Sequence, residues 1–116
     1  QLTLVDPLLT TTASASTKID LIPCPYSATV VNPTTATSAP VGAAVFPVAI
    51  GGFGWLQVSG PTVLLADGAV TVGTNLVASN ATAGAVEAAT GVQAVVGTAL
   101  TGIATTEYGA VFLQLA

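Results

Sequence analysis

The alternation of apolar and polar positions divides the chain near residue 45. Beyond it, short strand-like runs recur: "WLQVS" (55–59), "TVLLA" (62–66), "AVTV" (69–72), "NLVAS" (75–79), "QAVVGTAL" (93–100) and "AVFLQLA" (110–116). Their β-branched residues suit a pleated, half-buried surface. Turn signals lie between them at Gly60-Pro61, Asp67-Gly68, Ser79-Asn80 and Tyr108-Gly109. Short runs at this spacing predict an all-β domain over residues 46–116, a small β-barrel or β-sandwich. The alanine-rich stretch "ATAGAVEAATGVQA" (81–94) is interrupted by Gly84, Gly91 and β-branched residues, so turns and short strands are predicted there instead of a helix.

Residues 1–45 follow another pattern. They hold five of the seven prolines (Pro7, Pro23, Pro25, Pro33 and Pro40) and the polar runs "TTTASAST" and "NPTTATSAP". Prolines so spaced forbid helix interiors and sheet centres and extend their neighbours. Apolar beads persist among them: Leu2, Leu4, Leu8, Leu9, Ile19, Leu21, Ile22, Val30 and Val31. The segment is predicted to be an extended arm or a set of edge strands, ordered against a partner surface through those beads.

Composition sharpens this picture. Hydrophobic residues make up 52% of the chain, but 21 of its 116 residues are alanine, so large core-forming side chains are fewer than that figure implies. Only 5% of residues are charged, against about 25% in an ordinary soluble domain. No charge occurs between Asp20 and Asp67. Thr, Ser, Asn, Gly and Ala must therefore build most of the surface, and uncharged surfaces tend to be interfaces. With Lys18 the only base, several phosphates cannot be neutralised, which argues against nucleic acid and anionic membrane surfaces as partners. A spanning helix is not expected either, because the most apolar window, 41–66, is broken by Pro47, Pro61 and several glycines. The chain begins at Gln1 without a Met, and we expect residues upstream of it to have been removed or not represented.

Little chemistry is on offer. Histidine is absent, which removes Ser/His and Cys/His nucleophile pairs and the commonest metal ligand. Cys24 stands alone between two prolines, has no base nearby, and is expected to be a small buried hydrophobe. Asp67 and Glu87 could pair as acid and base, but solvated turn residues are the simpler expectation. "GGFG" (51–54) lacks the lysine and helix of a phosphate loop, and Asn80-Ala81-Thr82 matches a glycosylation pattern common by chance. No catalytic residue, metal site or cofactor is predicted, and catalysis is not expected.

The second half carries a further pattern. "GWLQVSG" (54–60) is followed by "VGTNLVASNATAGAV" (72–86), then "VGTAL" (96–100) and the closing "VFL" (111–113). Over residues 46–115 this resembles small structural proteins of tailed bacteriophages that decorate or cement the head. The resemblance implies a virion location on the capsid surface, the major capsid protein as partner, and self-association as a homotrimer or other symmetric cluster. It also implies a stabilising role without enzymatic activity. In that light Gly68, Gly73, Gly84, Gly97 and Gly109 are expected at turns or close strand approaches. Trp55 is expected as the large anchor of a core otherwise made of Val, Leu and Ala. The alternative is an adhesive or receptor-binding module on a phage appendage or a cell surface. Such a module would be expected to present exposed aromatic or charged clusters, which places it second.

Overall fold

A computed structural model describes residues 24–35, 37 and 39–115. The described residues form no helix and seven strands, so the all-β prediction holds. In chain order the strands are β1 (Ala43–Ala44), β2 (Leu56–Gln57), β3 (Ser59–Leu65), β4 (Asn75–Ala78), β5 (Val86–Ala88), β6 (Gly97–Ala99) and β7 (Tyr108–Gln114). β1 and β2 form a two-stranded antiparallel ribbon, while the other five form one antiparallel sheet in the order β3-β7-β6-β4-β5. That sheet closes on itself at one end. Ala66, just past β3, makes a parallel bridge with Val86 of β5, and the Asp67 N–H donates to the Val86 carbonyl at 2.9 Å. The result is a small barrel whose two edge strands meet at a single point.

Alternation fills the barrel. Leu76, Val86, Val111 and Leu113 point inward from their strands and pack with Ala66, Val70, Val96, Ala99 and Ile103. Among the described residues no aromatic ring is buried in this core. Small aliphatic side chains suffice because strands approach closely. A Cβ on Gly97 would collide with the Phe112 carbonyl across the β6–β7 pair, and one on Gly109 would strike the Ile103 side chain. Gly97 and Gly109 are thus strand positions of close approach and not turns; Gly60 is a strand residue too, pairing with Leu113 inside β3. The β6-to-β7 reversal falls instead at Thr105-Thr106, where Thr106 has φ 61° and its N–H donates to the Ala66 carbonyl. Gly73 and Gly84 do lie in turns, with φ 81° and 75°.

Asp67-Gly68 does not form the expected hairpin. β3 pairs with the last strand, and the bend at residues 67–68 carries the chain past β5 to Val70, which bridges Ile103. The predicted strand at 69–72 is reduced to that bridge.

The arm predicted over residues 1–45 is described only from Cys24 onward. Its beads Leu2, Leu4, Leu8, Leu9, Ile19, Leu21 and Ile22 lie outside the described residues. Val30 and Val31 are exposed. Just after them the chain meets its own domain: the Asn32 carbonyl accepts from the Gly84 N–H at 2.9 Å, and Pro33 and Pro40 line a cleft together with Val77 and Ala78 of β4. Val77 is buried on this side of β4, whereas Leu76 beside it fills the barrel from the other face. Cys24 is exposed, contrary to expectation: it starts a tight turn that contributes nothing to the core cluster, with the Ser27 N–H donating to its carbonyl.

Candidate interaction surface

Eleven residues separate β1 from β2, and six of them are large exposed apolar groups: Val45, Phe46, Val48, Ile50, Phe53 and Trp55. Three of the six aromatic residues of the whole chain lie here. Trp55 is 79% exposed and Phe53 fully so, which overturns the expected core role of Trp55. The reason is topological. Trp55 precedes β2, which pairs only with the two residues of β1 and never enters the five-stranded sheet. The closely spaced strands of the barrel leave the interior to Val, Leu, Ile and Ala.

The loop has a definite shape. Its tip is the tight turn Ala49-Ile50-Gly51-Gly52, closed by a hydrogen bond from the Gly52 N–H to the Ala49 carbonyl at 2.9 Å. Gly51 has φ 73°, the left-handed conformation that this turn requires at its third residue. Ile50 is thereby held at the tip in solvent. Below it, Val48 lies so close to Gly54 that any side chain at 54 would collide with it. Phe46, Phe53 and Trp55 surround a shallow cleft of about 310 Å³. No charged residue occurs within the loop or its flanking strands.

A second apolar area lies on the outer face of β3 and β7. Inward residues such as Val111 and Leu113 leave their neighbours outside, and the register places Pro61 opposite Phe112 and Leu65 opposite Tyr108, with Val63 between. Val63 is 61% exposed, and Tyr108 and Phe112 also face solvent. This face too carries no charge. The edge of β3 is blunted against strand addition. Its even-numbered residues bond to β7, as shown by the Ala66 N–H donating to Glu107, so Ser59 and Pro61 turn their carbonyls outward. The Gln57 side-chain amide donates to both, at 3.0 and 2.8 Å. Pro61 itself offers no N–H.

Asp67 anchors a polar network of structural character. Its carboxylate accepts the Ser79 hydroxyl at 2.6 Å and the Thr82 hydroxyl at 2.7 Å. Those two bonds hold its carboxyl below the usual carboxylate range, Ser79 contributing most. Ser79 is buried, and its oxygen also accepts the Ala81 and Thr82 N–H groups, so its hydrogen-bonding capacity is full. Asp67 is therefore a bend residue open to solvent whose carboxylate also clamps the end of β3 to the β4–β5 turn. Glu87 sits in β5 opposite Val77. Among the described residues no group of three or more His, Cys, Asp or Glu side chains is placed to hold a metal, and no helix is long and apolar enough to cross a membrane.

No family model, no curated protein and no solved structure matches the chain.

Proposed function

We propose that the protein is a structural subunit of a multi-copy assembly, a virion decoration protein that binds the major capsid protein, associates with its own copies and stabilises the head. The observation that carries this reading is the segregation of its apolar surface. Its largest side chains are held outside the core on a shaped, uncharged loop, and such a patch is costly unless another protein covers it. The glycine and strand pattern over residues 46–115, which resembles head decoration proteins, supports the more specific part.

One observation favours an adhesive module instead: Phe46, Phe53 and Trp55 stand exposed together, as a ligand-stacking platform would. Against that, the loop and its flanking strands contain no charged residue to orient a polar ligand.

The test uses particles purified with and without this protein, challenged by low salt and chelator. A decoration role predicts earlier genome release without it and regular density on the head lattice. Unchanged release together with density at a tail tip would replace this function with the adhesive one.

A further inference from the structure

We infer that the apolar loop, residues 45–55, of one copy docks on the outer β3–β7 face of a second copy, in a head-to-tail contact. The inference deepens the self-association proposed above and rests on it.

Area comes first. Each aromatic side chain buries roughly 150–250 Å² when covered. Phe46, Phe53 and Trp55, with Ile50 at the tip, bring the loop towards the ~800 Å² per partner that a stable interface buries. Charge comes second. A partner surface carrying charges would have to desolvate them without counter-charges, because residues 21–66 hold none. The β3–β7 face meets this condition: Pro61, Val63, Tyr108 and Phe112 form an exposed, uncharged area of the same chain. Contact by side chains also agrees with the edge of β3, where Pro61 and the Gln57 amide discourage backbone pairing. The loop and the face are different surfaces, so the contact is heterologous. Repeated around a rotation axis it closes into a ring, each copy giving one loop and offering one face.

The two surfaces can be broken separately in the full chain. Phe53→Ser with Trp55→Ser removes the loop's rings, and Val63→Glu places a charge on the face. Tyr108→Glu does the same from β7 should the change in β3 disturb folding, and circular dichroism verifies the barrel in each variant. Molar mass is then followed against concentration by light scattering. The native chain is expected to self-associate with little dependence on salt, and each variant alone to associate at least about 30-fold more weakly. A mixture of loop variant and face variant retains one intact loop and one intact face, so it is expected to form a one-to-one heterodimer. A native chain that stays monomeric, or folded variants that associate as the native chain does, would overturn the proposal. So would a mixture without heterodimer, which is the outcome of loop-to-loop contact. Loss of particle occupancy with solution assembly intact would fault the capsid role and leave this contact standing.

Discussion

The barrel interior and the loop between β1 and β2 are both apolar and uncharged, yet they use opposite side chains. The interior holds Val, Leu, Ile and Ala, drawn together by glycines that let strands touch. The loop holds Phe46, Phe53 and Trp55, among the bulkiest groups of the second half, and leaves them in water. Hydrophobicity alone therefore does not mark the core of this protein. What separates the two regions is backbone pairing: the interior residues belong to strands of the five-stranded sheet or to the bridges and turns that close it, while the loop hangs from a ribbon of two residues per strand.

Truncation inside the barrel should have the largest effect. Leu113→Ala and Leu76→Ala empty fully buried positions and are expected to cost about 2–5 kcal/mol in denaturant unfolding, a large part of a small domain's stability. Gly97→Ala comes next, at about 1–3 kcal/mol, because its methyl group meets the Phe112 backbone, which cannot turn aside as a side chain would. A Gly97→Ala variant as stable as the native chain would remove close approach as the reason for a small-residue core.

Much of the barrel is legible in the amino-acid sequence. The runs "NLVAS" and "AVFLQLA" become β4 and β7, and the glycines in "ATAGAVEAATGVQA" do exclude a helix. What is not legible is pairing. Nothing local tells Ser59–Leu65 to pair with Tyr108–Gln114, at the far end of the chain, so Gly60-Pro61 and Tyr108-Gly109 read as turns when they belong to strands. The same blindness misplaces Trp55: a large aromatic ring among strand residues reads as core, and only the topology shows that the strand it precedes pairs outside the five-stranded sheet. The Asp67 clamp is hidden for a similar reason, since its partners are twelve and fifteen residues away.

That clamp gives a middle-sized effect. Ser79→Ala leaves the Ala81 and Thr82 N–H groups without their acceptor beside a buried position, and is expected to cost about 1–3 kcal/mol. Asp67 adds a pH signature. Its carboxyl is held below the ordinary value in the folded chain, so the unfolded chain takes up the proton first. The stability it contributes is present in full above the ordinary carboxylate range and is lost as pH falls through the lowered native value. Asp67→Asn should flatten that part of the acid limb in unfolding followed against pH, whereas an unchanged limb would mean that the clamp adds nothing.

The smallest effect belongs to the loop. Trp55→Ala should change the stability of the unassociated chain by less than about 0.5 kcal/mol, although the same truncation in a core costs about 3–5 kcal/mol.

Because Trp55 is the only tryptophan, its fluorescence reports directly on which region it occupies. In chain diluted until light scattering gives the monomer mass, its emission should already be that of a water-exposed indole, open to acrylamide quenching, and should barely shift on unfolding. Emission that is blue-shifted and shielded from quencher in the monomer, and moves to the red on unfolding, would place the ring inside the barrel and contradict the division between core and loop.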